Sequence, residues 1–375
     1  MKKITVLLGL AGLAIGGGVL RAQVTTTAVP FLLIAPDSRN AGMGEAGVGL
    51  ADDVWAIHWN SAGYAFQTGS EVGFSHVNWL PQFGFSDLWI AHVAYKLPVQ
   101  EIEGTLALGL TYLNLGEITR TSAAGPDPIG SYKAYEFAIA LGYGTRISDN
   151  LGLGLSMKVI RSALAEDAGA GSASGAYEAG AGAATGFAFD IGILYKPQSL
   201  FIPFTGIDLG NALSFGASLS NIGPKLTYID RAQADPLPLN LRLGFAARVL
   251  QTDFNNITVI TDFTRLLVHR DTTQSDEFYK GIFTTWTGGT TSDQLRQFNT
   301  GIGVEYWYGA PKLLAIRWGF FYEDPNAGNR KFMTFGAGIR FDIYGFDFSY
   351  ISAIEEQHPL GETLRFSVAI GLGGN

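Results

Sequence analysis

Residues 135–144 read Tyr-Glu-Phe-Ala-Ile-Ala-Leu-Gly-Tyr-Gly. Tyr135, Phe137, Ile139, Leu141 and Tyr143 share one parity; Glu136, Ala138, Ala140, Gly142 and Gly144 share the other. Successive side chains of a strand point to opposite faces, so the stretch predicts one greasy face and one small or polar face. Aromatic residues close both ends of the greasy face, the places where two membrane interfaces favour them. This alternation recurs along the chain and constrains the fold more than any other feature.

It returns at Leu151, Leu153, Leu155, Met157 and Val159, and at Phe187, Phe189, Ile191, Ile193 and Tyr195 with Asp190 opposite. It returns at Leu239, Leu241, Leu243, Phe245, Ala247 and Val249, opposite Asn240, Arg242 and Arg248. Met333, Phe335, Ala337, Ile339, Phe341 and Ile343 oppose Arg340 and Asp342, and Leu364, Phe366, Val368, Ile370 and Leu372 oppose Arg365 and Ser367. The solvent face of a soluble sandwich is usually rich in charged residues and threonine. Here the second face is mostly Gly, Ala and Ser, which suits a crowded lumen.

Such segments number about 14, near 69–77, 85–97, 104–114, 132–146, 150–163, 184–196, 212–222, 239–251, 256–267, 298–309, 313–323, 332–343, 344–352 and 362–373. Most have the roughly 9–11 residues that cross a bilayer at a tilt. The connections alternate as well. Ser148 to Asn150, Gln251 to Asn255, Gly309 to Lys312 and the Tyr344-Gly345 corner are short, with 197–211 the exception; 115–131, 164–183, 223–238 and 268–297 are mostly longer. Short periplasmic turns and long external loops are the barrel rule. The expected fold is all-β: a transmembrane antiparallel β-barrel of about 14 strands over residues 69–375, with both termini in the periplasm.

Composition agrees. Hydrophobic residues make up 47% and charged residues 15%, against a usual charged share of about a quarter, and 49 residues are glycine. Met1-Lys2-Lys3, an apolar run from Ile4 to about Gly18, and Ala22 describe a secretory signal peptide at residues 1–22, cut before Gln23. Beyond it no apolar run reaches the roughly 20 residues of a spanning helix. The chain has no Cys, hence no disulfide and no thiol chemistry.

Little points to catalysis. His58, His76, His92, His269 and His358 show no metal-binding spacing, and no nucleophile elbow or phosphate-binding loop is present. Asp37, Asp52 and Asp53 read as turn or cap residues rather than a metal site. With a net charge of −8 and no basic cluster, nucleic acid is not an expected partner. The expectation is a protein that is not an enzyme and carries no cofactor.

Residues 23–68 precede the first strand as a small-residue segment. Gly42, Gly44 and Gly47 in AGMGEAGVGL satisfy GxGxxG. A dinucleotide site needs a strand before those glycines and a βαβ unit around them, and neither is indicated. Tight packing inside the lumen is the alternative, as a plug on the periplasmic side held through Arg39, Met43, Gly44, Gly47, Asp53 and Asn60. A short helix is expected from Ala51 to Ile57 with Asp52 and Asp53 in its first turn. Arg39 is expected to pair with an inward carboxylate such as Asp190 or Asp342.

Arg39, Met43, Gly44, Gly47, then Asp52-Asp53 and Trp59-Asn60-Ser61-Ala62-Gly63 resemble the opening of the PorV/PorQ family. These are FadL-like outer-membrane barrels of the Bacteroidetes type IX secretion system. The motif covers residues 39–66, and Ser61 stands where the family usually has proline. The chain also ends Gly373-Gly374-Asn375 rather than on an aromatic, leaving Phe366 and the last strand to carry any insertion signal. The resemblance implies an outer-membrane carrier that binds the C-terminal signal domain of secreted cargo. It would carry cargo from the translocon barrel to the attachment complex, whose sortase subunit cleaves it. A FadL-type importer of hydrophobic small molecules and a PorQ-like attachment-complex subunit are the alternatives. Cargo contact is expected on external aromatic and apolar residues: Trp79, Leu80, Phe83, Phe283 and Trp286.

Overall fold

The computed structural model describes residues 27–84, 87–122, 125–165, 182–201, 208–228, 234–269, 275–355 and 358–373. The expected leader at 1–22 and most of the Gly/Ala/Ser loop at 164–183 lie outside them.

Fourteen strands form one closed antiparallel barrel in which each strand pairs with its sequence neighbours and the first with the last. They are β1 (Glu71–Asn78), β2 (Trp89–Val99), β3 (Gly104–Ser122), β4 (Gly125–Ser148), β5 (Leu151–Ala163), β6 (Ala183–Tyr195) and β7 (Leu213–Ile222). The rest are β8 (Asn240–Gln251), β9 (Asn255–Leu266), β10 (Asn299–Tyr308), β11 (Leu314–Tyr322), β12 (Lys331–Phe341), β13 (Tyr344–Ala353) and β14 (Leu364–Gly371). Closure leaves no sheet edge unpaired around the wall. The predicted alternation holds: on β6, Phe187, Phe189, Ile191 and Ile193 are exposed while Ala188, Asp190 and Leu194 are buried. Large apolar side chains therefore cover the outside, and small or polar ones line the inside.

Local departures have local causes. A bulge between Arg248 and Leu250 on β8 breaks the parity, so Val249 and Leu250 are both exposed. Leu239 does not face outward; it is buried with Leu267 and Val268 beneath the β9–β10 connection. The 115–131 stretch is not a loop, because β3 and β4 continue past the wall as a paired hairpin whose ladder runs from Glu117↔Lys133 to Ser122↔Gly125. The last short turn lies at Asp342-Ile343, where Asp342 adopts a left-handed φ of 52°, and Tyr344 and Gly345 already belong to β13. The 268–297 connection contains two helices, α3 (Phe278–Thr284) and α4 (Thr291–Arg296). Thr290 and Asp293 close a reciprocal capping box on α4.

Residues 27–67 run through the lumen. Two one-turn helices, α1 (Ser38–Ala41) and α2 (Ala56–Trp59), and 3-10 turns at Pro30–Leu33 and Ser61–Phe66 punctuate the segment. Its start packs against Val77, Ile90, Leu113 and Ile160, near the strand ends that carry the long connections, and against Leu226 and Leu237. Its end packs on Gly144, Gly152 and Gly154, near the short turns. The segment is thus not confined to the periplasmic side but crosses the lumen from one end to the other. The helix expected at Ala51 to Ile57 begins only at Ala56, because Asp52 and Asp53 are drawn to Arg39 instead of starting it.

Candidate functional site

The plug meets the wall by close backbone approach first. Gly44 has a left-handed φ of 70°, and its N–H donates to Thr334 Oγ1 on β12 at 2.9 Å. A Cβ there would lie 2.6 Å from the Ile302 carbonyl oxygen and 2.7 Å from that of Phe320. The wall gives way in return: a Cβ on Gly303 would lie 2.5 Å from Met43, which is fully buried. Small residues on both surfaces let two backbones approach to a distance that any side chain would prevent.

Polar contacts then fix the register. Arg39 is presented by α1, whose N-terminus is capped by the Asp37 carboxylate through Asn40 N–H at 2.8 Å. Its Nε and Nη2 donate to the two oxygens of Glu305 on β10, each at 2.8 Å. Its Nη1 donates to Asp52 at 2.6 Å and Asp53 at 3.0 Å. Glu305 also accepts from Arg317 Nε on β11 at 2.7 Å. The chain continues from Arg317 to Asp347 on β13 at 2.8 Å and from Asp347 to Arg340 on β12 at 2.7 Å. The partners of Arg39 are therefore Glu305, Asp52 and Asp53, and neither Asp190 nor Asp342. Asp190 is matched with Lys158 at 2.8 Å. Burial, with Asp37, Asp52 and Glu71 nearby, pushes the Asp53 carboxyl up to about 7 against the pull of Arg39.

The glycine loop holds an anion after all, but an internal one. Asp262 on β9 accepts from Gly47 N–H at 2.7 Å and Val48 N–H at 2.9 Å. Successive amides at a tight turn form a cradle for negative charge. Asn60 caps the following 3-10 turn through Ala62 N–H at 3.1 Å, and its amide donates to the Ile193 carbonyl on β6 at 2.9 Å. Arg39, Met43, Gly44, Gly47, Asp53 and Asn60 thus lie within one interface. Glu305, Asp262, Thr334 and Arg317 complete it. The available signal for these four was their place on the small-residue face of their strands.

The external candidates divide into two patches. Trp79 and Leu80 pack against the cluster of Phe321, Phe332, Ile351 and Leu360, so neither is freely displayed. Phe83 is exposed by 54%. Phe283 on α3 is exposed by 73%. Trp286 lies under the guanidinium of Arg265, 4.1 Å from its ring centroid. Arg265 also donates to the Thr285 carbonyl, to Gln294 Oε1 at 2.6 Å and to Gln297 Oε1 at 2.7 Å. One buried cation on β9 thereby pins both helices to the rim, with Phe283 and Tyr279 facing out.

Residues 20–273, more than half of the chain, match the family described as "Type IX secretion system protein PorV". No curated protein matches the sequence. Among solved structures the chain resembles the toluene transporter TodX of P. putida, with TM-score 0.53, 14% identity, and coverage of 92% of this chain and 100% of that one. It also resembles a FadL homologue of Pseudomonas aeruginosa, with TM-score 0.51, 12% identity and coverage of 90% and 98%. The toluene transporter TbuX of Ralstonia pickettii gives TM-score 0.50, 12% identity and coverage of 90% and 97%. At such identities the likeness is one of fold.

Proposed function

The chain belongs to the PorV family and is an outer-membrane component of the type IX secretion system, and from that premise we propose that it is a cargo carrier. In this reading it binds the C-terminal signal domain of secreted proteins at its external face. It takes them from the translocon barrel and delivers them to the sortase-containing attachment complex. Residues 1–22 are its export signal, 23–68 its plug and 69–375 its membrane domain. The observation that carries the reading is the filled lumen. The plug spans the barrel and is tied to strands around it through Glu305, Asp262, Thr334, Ile193 and Ser367. The external rim, with Phe83, Phe283 and Trp286, is then the surface on which a partner protein can act.

The importer reading draws on one observation of its own, a cavity beside the plug lined by Phe31, Leu32, Ile34 and Ile57. A gene deletion separates the two. Loss of the carrier leaves proteins bearing the type IX C-terminal domain unsecreted and unattached. Unchanged secretion and attachment with reduced uptake of long-chain lipid would refute the carrier reading. Phe283→Ala combined with Trp286→Ala is expected to reduce cargo recovered with the purified barrel at least tenfold. Unchanged recovery would remove the α3–α4 surface from the contact.

A further inference from the structure

Arg365 on β14 points into the barrel and is 1% exposed, and its Nε, Nη1 and Nη2 have no hydrogen-bond partner among the described residues. Arg39, Lys158, Arg317 and Arg340, also inside the barrel, each reach a carboxylate. A guanidinium does not shed its proton in a protein, so burial cannot neutralise it. A buried charge without a partner is costly unless something supplies the opposite charge.

Two neighbours share the condition. Ser75 Oγ on β1 and His92 Nε2 on β2 are buried and unpartnered as well. The registers place them together: Ser75 is opposite both His92 and Ser367, and Arg365 is the next inward residue from Ser367 on β14. His92 Nδ1 lies 3.0 Å from Thr111 Oγ1. With Nδ1 accepting the threonine hydroxyl, Nε2 carries the proton and donates. In that tautomer three adjacent strands present hydrogen-bond donors to one region of the lumen. Two plug carboxylates, Glu45 and Asp37, act on Arg365 through space. The Asp37 oxygens are engaged by Asn40 N–H and Trp59 Nε1–H, each at 2.8 Å. His92 also borders a small cavity lined by Phe31, Leu32, Ile34 and Ile57.

We propose that Arg365, Ser75 and His92 form a lumenal site for a small oxoanion. The guanidinium provides the charge and a planar fork of donors, and the serine and imidazole add one donor each. Reaching the site requires the plug near Asp37 to yield, since the three groups are covered at rest. The proposal is independent of cargo carriage.

The test uses the purified full chain in an uncharged detergent, with inorganic phosphate as the probe in titration calorimetry. Saturable binding is expected, weakened at least tenfold by Arg365→Gln and about threefold by Ser75→Ala. In anion-free buffer Arg365→Gln is expected to melt no lower than the wild type, because it removes an unmatched charge and not a bridge. Failure of phosphate to bind at millimolar concentration, equal binding by Arg365→Gln, or a markedly lower melting temperature of that variant overturns the proposal.

Discussion

Replacing Glu305 by glutamine isolates the latch between plug and wall. Glu305 is 1% exposed and is the carboxylate shared by Arg39 and Arg317. The amide keeps the volume but leaves Arg39 only Asp52 and Asp53, and leaves Arg317 only Asp347. Removing one partner of a buried pair costs about 3–5 kcal/mol. The strands of the wall remain paired, so the loss falls on the docking of the plug. At about 1.4 kcal/mol per decade, the undocked population rises by about two to three and a half decades. The chain has no cysteine, so one introduced by Ala46→Cys provides a single reporter. Ala46 is fully buried in the plug with Met43, Ala246 and Ile260. The rate of maleimide labelling at that thiol follows the open population while reclosing outpaces reaction. Labelling in the Glu305→Gln background is therefore expected to accelerate by about two to three and a half decades. Arg340→Gln is the control: its side chain is 29% exposed at the far end of the same chain of charges, and the labelling rate should change by less than about threefold. A Glu305→Gln rate within threefold of the parent would refute the argument that this carboxylate holds the plug.

Other consequences are local. Gly44→Ala forces a left-handed residue and a Cβ into the Ile302 and Phe320 carbonyls, and is expected to lower the melting temperature by the equivalent of at least 1–2 kcal/mol, read from a thermal melt. Asp262→Asn weakens the charge-assisted bonds to Gly47 and Val48, at a cost of about 1.5–3 kcal/mol, and should speed hydrogen exchange at those two amides without affecting distant strands. Ile191→Arg places a charge on the lipid face of β6, and at the bilayer midplane costs about 2–4 kcal/mol, read as reduced assembly into the outer membrane. Asp53 titrates near 7 in the docked plug, above its ordinary value of 3.8. The docked state binds that proton more tightly than the open state, so Asp53 supports docking fully below about pH 4 and loses that contribution as pH rises through about 7. Melting between pH 4 and 8 should show this slope in the wild type and a flatter one in Asp53→Asn.

Much of the wall was legible because period-two alternation is a local property. Each strand exposes one parity to lipid and the other to a filled lumen, whatever its neighbours are. The departures come from contacts that parity does not encode. Residues 115–131 contain Gly116, Gly125, Pro126, Pro128 and Gly130, which read as a loop, yet the ladder between β3 and β4 continues through them. The helices α3 and α4 are short and broken by Gly288 and Gly289, and depend on Arg265 beneath them rather than on a long amphipathic period. Asp190 and Asp342 were reasonable partners for Arg39 by face alone. Depth and position around the barrel decide the match, and they come from the closure of fourteen strands, which brings Glu305 to a residue 266 positions away.

The glycine loop makes the same distinction at a smaller scale. GxGxxG without a parallel sheet has no place to put a dinucleotide, and the reading against one rested on that missing context. The physical property of the loop is nevertheless still in use. Its tight turn exposes consecutive amides, Gly47 and Val48, and exposed amides attract a negative charge whatever fold surrounds them. Here the charge is the Asp262 carboxylate from the wall, and the complex formed is between the protein's own plug and barrel. A spacing motif thus reports the chemistry that its backbone can do. Which anion it receives depends on what the rest of the fold places within about 3 Å.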